Sequence, residues 1–191
     1  MFGNRVQDTA PTLSAPSANR TAISQLTSPS NPNEPTGNNQ YCSQAALLGA
    51  LTKLRKSVVP PEQVASYIER LRVESGLANS NKGTTSEQLA TAARKEGLKA
   101  KVYNGNANIQ TLKNESQNGN QSVVTVKNET GGFHSLRIDH TEGDTAFIHD
   151  PANPNGTLIP KSLSEVANNM REAGGHSVAL KDKGAEETKR T

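Results

Sequence analysis

The chain holds one cysteine, Cys42, at the point in "GNNQYCSQAALLGAL" (37–51) where a polar stretch gives way to an apolar helical pattern. A thiol in the first turn of a helix meets the positive end of the macrodipole, and beside a protonated imidazole its pKa can fall from about 8.5 to ~3–4. The thiolate is the form that attacks a carbonyl carbon. Two later residues could complete such chemistry: His134 in "FHSLRIDH" and Asp150 in "TAFIHDP". His134 would hold the proton and return it to the leaving group, while Asp150 would fix the imidazole's tautomer and orientation. Taken singly, each has a plainer reading. A lone cysteine is most often an inert buried thiol, and a histidine with a carboxylate at a strand end is often a structural hydrogen bond.

Strand parity decides whether His134 and Asp150 can meet. "FHSLRIDH" and "TAFIHDP" flank "EGD", which reads as a hairpin turn. A three-residue loop, Glu142-Gly143-Asp144, sets Thr141 opposite Thr145 and His134 opposite Ala152, one diagonal step from Asp150. Diagonal neighbours on one face lie ~7–8 Å apart at the backbone, within side-chain reach. A two-residue loop would send the two to opposite faces. The apolar pattern favours the longer loop, because Leu136, Ile138, Ala146 and Ile148 then share one buried patch with His134 and Asp150 at its open end.

The elements around these residues are helices first and strands later. Ala46, Leu47, Ala50, Leu51 and Leu54 mark one inward face of a helix from Cys42 to about Lys56. "PPEQVASYIERL" opens a second helix with Pro in its first turn; "TTSEQLATAARKEG" reads as a third, with Thr85 and Gln88 in capping-box spacing and Gly97 as its stop. "LKAKVY" alternates as a half-buried strand, and a short helix surrounds Ile109 and Leu112. "SVVTV" is a strand before the hairpin, "LSEVANNM" a helix capped by Ser162 after it, and "HSVAL" a last strand. The fold class this implies is α+β with antiparallel strands.

Composition bounds the rest. With 191 residues there is room for one domain and tails. Residues 1–36, rich in Ser, Thr, Asn and Pro, are expected to be disordered; 37–182 form the domain, and 183–191 a second tail. The 21 basic and 18 acidic residues are spread without a dense basic block, which argues against nucleic acid as a partner. No apolar run approaches the ~20 residues of a membrane span, and no secretory signal opens the chain. One cysteine excludes an intrachain disulfide framework. No metal or cofactor is expected: His134, His140 and His149 are not spaced as ligands. His140, His149 and His176 are taken as structural or exposed.

From "YCSQAALLGAL" through "TTSEQLATAARKEGLKAKVY", "NIQTLKNESQNGNQSVVTV" and "FHSLRIDHTEGDTAFIHDPANPNG" to "SLSEVA", the order of motifs resembles papain-like cysteine peptidases. It is most similar to the bacteriocin-processing peptidase domains of peptide-exporting ABC transporters and their stand-alone relatives. The resemblance implies a papain-like fold, Cys42 as nucleophile, His134 as base and Asp150 as the orienting acid. It also implies a glutamine upstream whose amide helps hold the oxyanion. Here the chain departs from the pattern. The usual spacing lands on Thr36, whereas Gln40 lies two residues before the cysteine and Gln25 lies 17 before it; Gln40 is preferred by proximity. Ser43 also replaces the common glycine. The implied function is a thiol protease acting on a peptide or protein. A glutamine deamidase or amidase and an inactive peptide-binding module are the alternatives. The polar N-terminus is similar to those of bacterial effectors and toxins. That implies synthesis in a bacterial cytoplasm, delivery into a target cell by a specialised secretion system, and a secretion chaperone or immunity protein as partner.

Overall fold

The computed structural model of the chain describes residues 41–78, 80, 82–128, 131–153 and 156–184. The expected tail at 1–36, and all but two residues of the one at 183–191, lie outside the described residues. Three helices come first: α1 (Cys42–Arg55), α2 (Pro61–Glu74) and α3 (Ser86–Lys95). Pro61 starts α2 where a missing N–H costs nothing. The expected capping box closes α3: Thr85 Oγ1 accepts from the Gln88 N–H at 3.3 Å, and Gln88 Oε1 accepts from the Thr85 N–H at 2.9 Å. Gly97, with φ +84°, supplies the left-handed residue that turns the chain from α3 into the first strand.

The remaining elements are β1 (Leu98–Tyr103), α4 (Ile109–Gln117), β2 (Gln121–Lys127), β3 (Phe133–Glu142), β4 (Thr145–His149), β5 (Ile159–Ser162), α5 (Leu163–Glu172) and β6 (Ser177–Asp182). The strands form one antiparallel sheet in the order β1-β6-β2-β3-β4-β5, so the architecture is α+β. Alternation in β2 splits the interior in two. Val123 packs with α1, α2 and α3 on one side, and Val124 and Val126 with α4 and α5 on the other.

Packing departs from the local sequence pattern at two places. First, α1 is not buried along one face only: every residue from Cys42 to Thr52 is buried, because the helix lies between the sheet and the other two N-terminal helices. Ala45, Ala46, Gly49 and Ala50 leave room for such close neighbours on all sides. Second, "IPKS" is a strand. Its Pro160 sits on the sheet edge, where a residue without an N–H is tolerated, so local composition concealed it.

The hairpin also differs in detail. Glu142 faces Thr145, so the loop is the two-residue Gly143-Asp144, with Gly143 at φ +55° as a type II′ turn requires. That loop alone would reverse the expected parity. A β-bulge restores it: His140 faces Phe147 but Ile138 faces Ile148, which leaves Asp139 unmatched. Beyond the bulge Arg137 faces His149, the pairing the longer loop would have produced. Ile138, Ala146 and Ile148 form the expected patch, with Leu136 against it.

Candidate active site

Cys42 opens α1, and its N-cap, Tyr41, supplies no side-chain acceptor to the first turn. The thiol is therefore held against the positive end of the helix. One residue on, Ser43 Oγ and Ser135 Oγ share a buried hydrogen bond of 2.7 Å, which fixes the start of α1 against β3 beside His134. His134 Nε2 donates to Asp150 Oδ1 at 2.7 Å. The same carboxylate oxygen accepts the Ala152 N–H at 2.8 Å, so Asp150 is anchored by the turn that follows β4. With Nε2 committed, Nδ1 is left for the thiol, and Cys42 is hydrogen bonded to His134. The structure thus brings Cys42, His134 and Asp150 together. Gln40 and Gln25 lie outside the described residues.

The electrostatics of the three are mutually reinforcing. Burial pushes the Cys42 thiol up, but the hydrogen bond and charge of His134, with the Ser135 contacts, outweigh it and leave the thiol below its ordinary value. Burial pulls His134 down, yet its bonds to Asp150 and Cys42 raise it to about 9. Asp150 is likewise disfavoured by burial and held below the usual carboxylate range by His134 and the Ala152 N–H. Each charged form therefore favours the other: the imidazolium lowers the thiol, and the thiol's contact helps raise the imidazole.

A groove of about 690 Å³ opens over them. Cys42 and His134 sit on its floor, at 5% and 8% exposure, and Phe133, at 64%, stands on its rim. The opposite wall is the stretch before and into α3, including Thr84 and Glu87. Gln44 ties that wall to α1 through its Nε2, which donates to Thr84 Oγ1 at 2.8 Å. Phe133, Ser135 and Glu87 were not singled out from the sequence. His176, read there as structural or exposed, lines the groove because β6 inserts beside β2, a long-range pairing no local pattern announces. His140 instead stacks on Phe147 at 4.4 Å, and His149 is buried on the other face of the sheet from Ile148.

No family model and no curated protein matches the chain. Among solved structures it shares the papain-like fold of C39 bacteriocin-processing peptidase domains. It is similar to the peptidase domain of Streptococcus ComA, a bifunctional ABC transporter involved in a quorum-sensing pathway. The TM-score is 0.54 at 22% identity, over 78% of this chain and 96% of that one. It is also similar to a double-glycine motif protease from an AMS/PCAT transporter, solved with its leader peptide. There the TM-score is 0.50 at 22% identity, over 86% of this chain and 94% of that one. Among the described residues no helix is long and apolar enough to cross a membrane.

Proposed function

We propose that the chain is a cysteine peptidase acting on a peptide or protein, with Cys42 as nucleophile, His134 as general acid and base, and Asp150 as the residue that orients His134. The observation that carries this reading is the continuous contact from the thiol through His134 to the Asp150 carboxylate. The thiolate adds to the scissile carbonyl carbon, and the oxyanion forms against the first turn of α1. Collapse of that intermediate breaks the C–N bond as the His134 imidazolium gives its proton to the departing amine. Neutral His134 then takes a proton from water, whose oxygen attacks the thioester carbon. Collapse of that second intermediate breaks the C–S bond, the carboxylic acid leaves, and the Cys42 thiolate is restored beside the His134 imidazolium. Asp150 fixes the ring throughout, so that Nδ1 rather than Nε2 faces sulfur. The composition of residues 1–36 supports an extension of this reading to an effector delivered into a target cell.

Iodoacetamide labelling at Cys42, followed by profiling of new N-termini in a lysate treated with the protein, tests the reaction. Chain breaks that vanish with Cys42→Ala are the expected result. A mass change without a break would move the reaction to a side-chain amide. Retention of all biological effect by Cys42→Ala and His134→Ala would make the chain a peptide-binding module.

A further inference from the structure

A second cavity, of about 500 Å³, lies beside the bulge and shares no lining residue with the groove over Cys42. Lys53, Asn120, Gln121, Arg137, Asp139 and His149 are among its lining. Arg137, at 0% exposure, faces His149, at 1%, across the β3–β4 ladder. Arg137 Nη1 donates to Gln121 Oε1 at 2.7 Å and to Asp139 Oδ1 at 2.8 Å, but Nε and Nη2 have no partner. Neither ring nitrogen of His149 has one, nor does Asn120 Oδ1, whose own amide nitrogen is committed to Glu115. Among the described residues seven buried side-chain N or O atoms lack a hydrogen-bond partner, and five of them belong to these three residues. Unsatisfied buried polar groups are individually costly, so five around one cavity point to a ligand that satisfies them together.

Charge and donor count define that ligand. Lys53 and Arg137 bring two positive charges. Asp139, the one acidic residue among the described lining residues, is held by Arg137, by Lys53 at 2.8 Å and by His140 Nδ1 at 3.0 Å. The cavity therefore keeps a net positive charge before either histidine is protonated. Arg137 offers two N–H donors in a fixed fork, which suits a tetrahedral or planar oxyanion. Asn120 Oδ1 needs a donor in return, and a carboxylate or sulfate has none to give near neutral pH. A hydrogen phosphate group has both acceptor oxygens and an O–H.

We propose that this cavity binds a phosphate-type oxyanion, as the free ion or as a phosphate monoester. The test uses the whole chain in phosphate-free buffer at constant ionic strength, following thermal unfolding and binding heat as sodium phosphate, glycerol 3-phosphate or sodium sulfate is added. A saturable rise in Tm with either phosphate compound and not with sulfate is expected, and the tighter of the two compounds identifies the source. Arg137→Met removes the fork but endangers folding. Lys53→Gln and His149→Gln, checked for folding by circular dichroism, are therefore the deciding variants, each weakening phosphate binding by roughly 10-fold or more. No saturable shift, an equal shift with sulfate, or undiminished binding in both folded variants would overturn the proposal. None of these readouts depends on peptide cleavage.

Discussion

His134 and Asp150 meet at 2.7 Å at the end of a hairpin whose two-residue turn, by parity alone, would hold them on opposite faces of the sheet. The unmatched Asp139 makes the difference. At the bulge, Asp139 and His140 share the work of one ladder residue, so the hairpin has one residue more than its pairing needs.

That surplus predicts an asymmetry between single deletions in β3. Removing His140 straightens the bulge, lets Asp139 take its place opposite Phe147, and keeps Arg137 against His149. Removing Leu136 shifts His134 by one position and turns it away from Asp150. Cys42 alkylation at neutral pH should stay within about 3-fold of the parent in the first variant and fall ~10-fold or more in the second, provided each folds. Equal rates in both would show that the bulge does not set the pairing.

The pH profile of Cys42 alkylation follows from the coupling. Because the thiol lies below its ordinary value and His134 near 9, the ion pair occupies the interval between the lowered thiol pKa and about 9. It is lost below the lowered thiol pKa and, on the alkaline side, as pH passes about 9. His134→Ala leaves the thiol with burial and without its counter-charge. Its alkylation at pH 7 should drop about 10-fold for each unit the pKa rises. A profile unchanged by that substitution would remove His134 from the pair.

His149 gives acid sensitivity of a defined sign. Burial, followed by the charge of Arg137, holds it at about 4, although Asp150 and Asp139 pull the other way. Its unfolded value is ~6.5. The unfolded chain therefore binds a proton first, and stability falls between pH ~6.5 and about 4, by something on the order of 3 kcal/mol. Below that window the histidine contributes no further slope. Asp139 acts later, because Arg137 and its other partners, working against burial, hold it at about 2. Its contribution is intact above ~3.8 and is lost as pH falls through about 2. Urea unfolding in phosphate-free buffer should show the first slope in the parent and not in His149→Gln.

Phe133 should act on binding more than on turnover. It is the exposed aromatic on the rim of the groove, next to His134 but outside its hydrogen bonds. Phe133→Ala is expected to raise KM several-fold, about 1 kcal/mol of lost apolar contact, with kcat nearly unchanged. A matching fall in kcat would place Phe133 in the alignment of His134 instead.

Local signals in the sequence were read where they were strong. The Thr85–Gln88 box, the proline at the start of α2 and the period of two in "LKAKVY" each fix an element from within a few residues. The proximity of His134 and Asp150 was also legible, although through the wrong loop. The apolar pattern of Leu136, Ile138, Ala146 and Ile148 reports which face is buried, and it cannot tell a longer turn from a shorter turn plus a bulge. Non-local features left no trace. The burial of α1 all round depends on what packs against it, the groove wall near Glu87 on a tie from Gln44, and the place of His176 on a strand order set by distant pairing. The Arg137, His149 and Asn120 cluster was invisible because each residue, taken alone, reads as a polar side chain that water could satisfy, and only the pairing of β3 with β2 and β4 brings them together.

The strand order carries a consequence for synthesis. β6, the last strand among the described residues, lies between β1 and β2, and no direct ladder joins those two. Until residues 177–182 leave the ribosome, the sheet exists as two unjoined pieces, and α1 lacks part of the floor it covers. α1 is tied to the β2–β3 piece directly, through the Ser43–Ser135 bond beside His134, and to the β1 side through the helices that pack with it. The two pieces of the sheet are thus joined by a strand of high sequence number, so closure of the fold follows the synthesis of residues 177–182 rather than proceeding strand by strand from the first.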